Sequence, residues 1–300
     1  MKRDGRLMSV VLDVIVPVYN GSNYILQFIE SFKIASRPFR DQIRLSIIDN
    51  GSTDETECLL QTCKRNGIDI EYHRFTEKMG SYAARNFGIK HSKSETVLFT
   101  DIDCQFEKNF FKQIFSMRID ERSFYGGRIV IPVEDHSNPW EVVDSGSSMK
   151  NERLLFVTAC LLVRRQTFDK VGPFVEVTSG GDIDWSRRAR NLGLTPVFVP
   201  KLIIRHPSRK TFDDFRVKYT RIAFGDGSNK FNNGIVEYLC GFLICLIRLP
   251  FLPTNDSNFR GVSIGKYISF RFSFLRLRVL QAVTYLRVLF RSSSAETFRS

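Results

Sequence analysis

What most limits the folds open to this chain is its punctuation. Apolar, strand-like runs stop at acidic or turn residues, and helix-like segments separate them. Val14-Ile15-Val16-Pro17-Val18-Tyr19-Asn20 ends in a turn, Ile43 to Ile48 stops at Asp49-Asn50-Gly51, and Thr96 to Thr100 stops at Asp101. Ile68 to Phe75 is a further strand-like run. Between them, Tyr24 to Ala35 places Ile25, Phe28, Ile29 and Phe32 at helical spacing, and Ser81 to His91 predicts a helix opened by Gly80-Ser81. Thr53 stands as an N-cap, with Thr56 where a Glu would complete a capping box. This alternation predicts a parallel sheet with helices on both faces. Side chains at the carboxyl ends of such strands converge on one crevice, where ligands bind.

The pattern loosens after a helix predicted over Glu107 to Met117. Tyr125 to Val133 and Phe156 to Val163 read as strands, and the polar stretch His136 to Asn151 between them reads as a functional loop. Asp182 to Leu192 predicts a helix ending at Gly193, followed by a short strand over Leu194 to Val199. Ile235 to Ile247 is nearly all apolar, interrupted by Glu237 and closed by Arg248 and Pro250. Ile264 to Phe290 mixes apolar residues with Lys266, Arg271, Arg276, Arg278 and Arg287. We therefore expect one domain over residues 8–210 and a basic, apolar, helical extension over residues 211–300.

Composition enters at three points. An apolar fraction of 43% with 27 Phe is ample for a core in 300 residues, so disorder is not the expectation. The six cysteines show no Cys-x-x-Cys spacing and read as reduced thiols of a cytosolic protein. At the N-terminus Asp13 interrupts the apolar run after Lys2, Arg3 and Arg6, so Val11 to Val18 reads as a strand and not a leader. The net charge of +12 is uneven: residues 201–300 carry 17 Lys/Arg against 6 Asp/Glu, while the first two hundred are almost neutral.

Three acidic segments carry the chemistry. In Asp101-Ile102-Asp103 the two carboxylates, an i,i+2 pair at a strand end, can converge on one ion, and hard oxygen ligands suit Mg2+ or Mn2+ carrying a diphosphate. A calcium loop is excluded by Phe106 and Lys112 at its sixth and twelfth positions. Asp49 to Asp54 joins a strand to a helix, and Asn50, which donates and accepts, can pair with a pyrimidine imide edge. Asp182, after Gly180-Gly181, is placed to take a proton from an incoming hydroxyl, with Asp184 as its competitor unless it pairs with Arg187 or Arg188. His206 is a candidate metal or diphosphate ligand.

In this order the segments resemble family 2 of the glycosyltransferases over about Val11 to His206. The resemblance rests on the Val14 to Asn20 strand, Asp49 to Asp54, Met79-Gly80-Ser81-Tyr82-Ala83-Ala84-Arg85-Asn86-Phe87-Gly88, Asp101 with Asp103, Ala159 to Phe174, and Asp182-Ile183-Asp184-Trp185 with Arg188. It implies an α/β GT-A fold: a Rossmann-like nucleotide-binding sheet with helices on both faces, a smaller mixed acceptor-side sheet, and here a C-terminal helical segment. It implies inverting transfer from a nucleotide diphosphate sugar to a glycan or lipid-linked acceptor, in surface polysaccharide synthesis. By the same resemblance Pro17, Tyr19, Asn50 and Arg85 lie at the nucleotide, and Asp101 contacts ribose or metal-bound water. Asp103 and His206 hold Mg2+ or Mn2+, and Asp182 is the base. Asn50 stands where many members carry a second Asp that holds uracil, which leaves UDP, dTDP and GDP sugars open. Gly181 stands where a Glu often precedes the base.

The basic extension predicts a peripheral contact with an anionic membrane surface, at the inner face of the cell membrane, the alternative being a helical subdomain or a dimer interface with a basic rim. Its apolar run falls short of the ~20 residues a spanning helix needs. A sugar-phosphate nucleotidyltransferase would want a Gly-rich basic loop where Pro17 to Ser22 stands. A glycoside hydrolase would leave the nucleotide-type segments unexplained. The extension is too apolar for a nucleic-acid partner and has no such motif.

Overall fold

The computed structural model describes residues 11–77, 80–147, 151–233, 235–247 and 259–290. Met79 of the nucleotide motif, and Arg248 and Pro250 after the apolar run, lie outside them. By internal contacts the chain divides into two compact units, Met1–Pro132 with Met149–Glu176 and Gly181–Pro207, and Val133–Ser148 with Val177–Gly180 and Ser208–Ser300.

The first unit is built on strands β1 (Leu12–Val18), β2 (Ile43–Asp49), β3 (Ile70–Arg74), β4 (Thr96–Phe99), β5 (Gln105–Phe106), β6 (Ser123–Val130), β7 (Leu161–Arg164) and β8 (Thr195–Arg205). They form one sheet in the order β3-β2-β1-β4-β7-β6-β8-β5. The first four are parallel; β7 is antiparallel to β4 and β6, β8 runs parallel to β6, and β5 is antiparallel to β8. The expected smaller mixed sheet is thus the continuation of the parallel one.

Strand alternation sends successive side chains to opposite faces. Leu12, Val14 and Val16 of β1 join Ile25, Phe28 and Phe32 of helix α1 (Ser22–Ser36) in one core layer, with Leu60 of α2 (Thr56–Arg65). On the other face Ile15 and Ile48 meet Gly88 of α3 (Ser81–His91) so closely that an added Cβ would stand 2.6 Å from Ile15 Cγ2. Phe99 of β4 faces that way too, against Phe168 of α6 (Arg165–Val171) and Phe174, with Trp185 of α7 (Gly181–Asn191) stacked on Phe168. Pro17 is tolerated in a central strand because β4 pairs with β1 only as far as Ile15↔Phe99.

Several expected bounds are corrected. The Phe156–Val163 strand is a 3-10 turn over Thr158–Cys160 followed by β7 alone. Helix α4 covers only Phe110–Ser116, since the strand pairing at Gln105–Phe106 carries on to Glu107, whose N–H goes to the Ile203 carbonyl at 3.2 Å. The Leu194–Val199 strand runs on to Arg205, across a register shift between Gly127 and Arg128 of β6. Within the supposed loop His136–Asn151 lies a helix, α5 (Pro139–Ser147), whose Trp140 N–H is taken by the Asn138 side chain at 3.0 Å. Its Val142 and Val143 are buried with Phe215, Tyr219, Phe270 and Phe274, a core that outweighs the helix-poor Ser and Gly content.

That core belongs to the second unit, with α8 (Phe212–Asn233), α9 (Ile235–Ile247) and α10 (Ile264–Phe290). Trp140 is ringed by Phe215, Phe270 and Phe274. Asp144, fully buried, accepts Lys218 Nζ at 2.9 Å and the Arg209 backbone N–H at 3.0 Å. Among the described residues no helix is long and apolar enough to cross a membrane.

Candidate functional site

Two loops at the carboxyl ends of β1 and β2 are tied together. Asn20, in the left-handed region at φ 49°, donates its N–H to Ser52 Oγ at 2.9 Å and accepts from Thr53 N–H at 2.9 Å. Gly21 N–H reaches Thr56 Oγ1 and Ser22 N–H reaches Asp54 Oδ2, at 2.9 and 3.1 Å. Burial raises the Asp54 carboxyl, but the hydrogen bonds from Thr56 and Ser22 outweigh it and hold the pKa at about 2. Thr53 is therefore not the N-cap expected of it. The helix starts at Thr56, and the charged Asp54 carboxylate takes the Thr56 N–H at 3.1 Å.

Asp49 is buried and faces the chain itself, accepting Ser52 N–H at 2.7 Å and Tyr72 Oη–H at 2.8 Å. Asn50 is buried as well. Its Nδ2 donates to the Phe75 carbonyl at 3.0 Å and its Oδ1 accepts Gly80 N–H at 2.5 Å, so it braces the segment leading into α3. Pro17 is buried at the end of β1, while Tyr19 beside it is 45% exposed, an aromatic face open at the strand end.

The second cluster lies past β4. Arg85, buried on α3, pairs with Asp101. Burial raises the Asp101 carboxyl above its ordinary value against the pull of Arg85, and the Asp103 charge adds to the rise. His206 arrives because β8 pairs with β5 at Gln105↔Arg205, and its N–H donates to Val130 at 2.9 Å. Its Nε2 lies 3.2 Å from Asp103 Oδ2, and its Nδ1 lies 2.8 Å from the Pro207 carbonyl. A carbonyl only accepts, so Nδ1 carries a hydrogen, and Nε2 meets the carboxylate either as a donor, in an ion pair, or through a cation that both can ligate.

This donor set fits a divalent ion: carboxylates and one imidazole whose other nitrogen is fixed by a carbonyl. Ligand atoms of Asp101, Asp103 and Cys104 fall within 4.8 Å of one another. Burial and the neighbouring Asp103 and Asp101 charges push the Cys104 thiol well up, so it stays protonated and does not compete as a thiolate.

The third cluster surrounds Asp182 in the first turn of α7. Its Oδ1 accepts Tyr82 Oη–H and Ile183 N–H, both at 2.9 Å, and its Oδ2 accepts Thr158 N–H at 3.2 Å. Tyr82 sits on α3 one turn before Arg85, whose guanidinium lies 5.5 Å from the Tyr82 ring centroid. A chain of contacts thus runs from Asp182 through Tyr82 and Arg85 to Asp101. Asn86 clamps the segment before α7 by donating to the Phe174 carbonyl and accepting its N–H, both at 2.9 Å. Asp184 turns instead to Arg188 Nε at 2.8 Å, and that guanidinium also holds the Val171 and Pro173 carbonyls.

The sequence-derived candidates Arg85, Asp101, Asp103 and His206 are therefore brought together, and Asp182 is linked to them. Tyr82 and the Thr158 N–H were not foreseen. The only sequence signal for Tyr82 was its place one turn before Arg85 on a helix already assigned to the site.

Comparison with known proteins supplies an independent view. Residues 13–172 match the family model described as glycosyl transferase family 2. Glycosyltransferase AglE of Haloferax volcanii is 28% identical over 221 residues, 71% of this chain and 72% of that protein. The minor teichoic acid biosynthesis protein GgaA of Bacillus subtilis is 31% identical over 115 residues, 37% of this chain but only 25% of GgaA. Among solved structures, the mannosyltransferase PcManGT of Pyrobaculum calidifontis, in complex with GDP-Man and Mn2+, superposes with a TM-score of 0.61 at 15% identity, over 92% of this chain and 86% of that one. At that identity the likeness establishes the GT-A fold.

Proposed function

The chain belongs to glycosyl transferase family 2, and from that premise we propose an inverting sugar transfer from a nucleoside diphosphate sugar to a hydroxyl of a glycan or lipid-linked acceptor. The observation that carries this reading is the arrangement at the end of β4: Asp103 facing His206, Asp101 held by Arg85, and Asp182 joined to Arg85 through Tyr82.

In this reading Pro17 and Tyr19 flank the base, and Asn50 braces the loop beside it. Arg85 orients Asp101 toward the ribose or a metal-bound water. Asp103 and His206 would hold Mg2+ or Mn2+, which would offset the charge gathering on the departing diphosphate. Asp182 is the base in this reading, as the buried carboxylate that Tyr82 joins to Arg85, while Asp184 pairs with Arg188 within α7. Asp182 takes the proton of the acceptor hydroxyl as that oxygen bonds to the anomeric carbon. The bond from that carbon to the diphosphate oxygen breaks, its electron pair leaves with the nucleoside diphosphate, and the configuration inverts.

GgaA, by its name, serves teichoic acid biosynthesis, which supports an acceptor among surface glycans. Helix α10 supports contact with an anionic membrane at its cytoplasmic face. Ile264, Ile268, Phe272, Leu275, Val279 and Val283 are exposed along one stripe, Ile264 by 79% and Phe272 by 70%, with exposed Lys266, Arg276 and Arg287 on the same helix.

The test is nucleoside diphosphate release by the full chain from a panel of UDP, GDP and dTDP sugars, with Mn2+, Mg2+ or EDTA. One donor class is expected to turn over only with metal. Asp182→Asn is expected to abolish release while Mn2+ with the nucleoside diphosphate still raises the melting temperature. Undiminished turnover by Asp182→Asn overturns the assignment of the base.

A further inference from the structure

Tyr82 is a buried phenol that no step above uses, yet it touches the one carboxylate on which the chemistry depends. Its Oη lies 2.9 Å from Asp182 Oδ1, and its ring centroid lies 5.8 Å from that of Phe174 and 5.5 Å from the Arg85 guanidinium. Burial and the Asp182 charge push the Tyr82 phenol up, so it remains a proton donor throughout the range in which a glycosyl transfer runs.

The ring reaches this place because position 181 has no side chain. A Cβ on Gly181 would stand 2.6 Å from the Val175 carbonyl oxygen and 3.0 Å from both Cδ2 and Cε2 of the Tyr82 ring. Gly181 and Tyr82 therefore form one device: the missing side chain makes the room, and the phenol fills it and donates to the next residue along. Tyr82 and Ile183 N–H occupy Oδ1, and Thr158 N–H touches Oδ2. Both oxygens are thereby held, and Oδ2, with one donor against two, is the freer to accept a proton.

We propose that Tyr82, seated against Gly181, is the positioning residue that orients the Asp182 carboxylate for proton transfer and, through its contact with Arg85, ties the base to the Asp101 side of the site. The proposal rests on Asp182 being the base. Tyr82 carries no proton to or from substrate; through its hydrogen bond to Oδ1 it fixes where Asp182 points.

Tyr82→Phe keeps the ring and deletes the one hydroxyl. A hydrogen bond to a charged acceptor is strong enough that its loss is expected to lower kcat by about tenfold and move the acid limb of the kcat/KM profile up by about one pH unit. Donor KM should stay within about twofold, since uniform binding is untouched. The melting temperature with Mn2+ and nucleoside diphosphate should match wild type, which excludes misfolding. Gly181→Ala, whose methyl would stand 3.0 Å from the same ring, should also lower kcat with little change in KM.

The assay is nucleoside diphosphate release over the UDP, GDP and dTDP sugar panel, paired with carboxyl 13C titration of Asp182 in the free, metal-free chain. Retained turnover in Asp182→Asn defeats the base assignment, whatever Tyr82 does. A silent Asp182→Asn beside a Tyr82→Phe with wild-type kcat and pH profile defeats the positioning role alone. If the wild type releases nothing from the panel, the 13C titration decides, and an Asp182 midpoint unmoved in Tyr82→Phe overturns the proposal.

Discussion

Gly88→Ala tests whether helix α3 sets the geometry of the site. The added methyl would stand 2.6 Å from Ile15 Cγ2, 3.2 Å from Ile48 Cγ1 and 3.5 Å from Ile48 Cδ1. Carbon atoms prefer about 3.5–4.0 Å. Ile15 and Ile48 are wholly buried in the two central strands, and their branched side chains have few rotamers, so neither gives way. The helix must withdraw from the sheet by about 1 Å. Overpacking of this kind costs about 1–3 kcal/mol, and the better helix propensity of Ala returns about 1 kcal/mol. The net loss is at most about 2 kcal/mol, or a melting temperature lower by up to about 8 °C. The same helix carries Tyr82, Arg85 and Asn86, so a shift that small reaches Asp182, Asp101 and the Phe174 clamp together. Misplacement of a catalytic array by about 1 Å costs on the order of 100-fold in rate. Nucleoside diphosphate release and thermal melting are measured on the same preparations. The signature is a rate loss far beyond the stability loss, and a Gly88→Ala rate within threefold of wild type refutes the claim that α3 positions the site.

Three further outcomes follow from the second unit. Asp144→Ala leaves Lys218 and Arg209 without their fully buried carboxylate and should destabilise this unit by about 3–5 kcal/mol in urea titration; a loss under 1 kcal/mol contradicts the ion-pair account. Burial, opposed by Asp144, holds the Lys218 ammonium down at about 8 from its ordinary 10.5. The unfolded chain therefore binds the extra proton between those values, and wild type should gain stability over Lys218→Met as pH rises from 8 to 10; a constant difference counts against it. Phe272→Glu, at a 70% exposed position, should leave stability within about 0.5 kcal/mol while weakening flotation with phosphatidylglycerol vesicles. Unchanged flotation removes α10 from the membrane reading.

The parallel half of the fold was legible because β1, β2 and β4 are short apolar runs, each closed by a turn or an acidic residue. The limits of α5 were hidden by Ser and Gly, since what makes Pro139–Ser147 a helix is the burial of Val142 and Val143 against residues some 70 to 130 positions away. Thr53 was misread for a similar reason: its hydroxyl turns to Asn20 of another loop, and the Thr56 N–H is taken by Asp54. Asp101, Asp103, Arg85 and His206 could be named from local pattern, but not their pairing. The Asp103–His206 contact exists because β8 runs on past Val199 to meet β5, which the hydropathy of Pro200-Lys201 conceals. Tyr82 depends on an absence, the side chain missing at Gly181, and a one-dimensional reading has no way to register space.

The central claim is that one crevice at the carboxyl end of β4 holds the cation and the nucleoside diphosphate. Crystals grown with Mn2+ and the nucleoside diphosphate of whichever donor turns over, with diffraction recorded at the manganese absorption edge, test it most directly. The account predicts one anomalous peak bonded to Asp103 and His206, with the diphosphate on it and the base beside Tyr19. A peak elsewhere, or a nucleotide bound away from Tyr19 and Asp101, contradicts it.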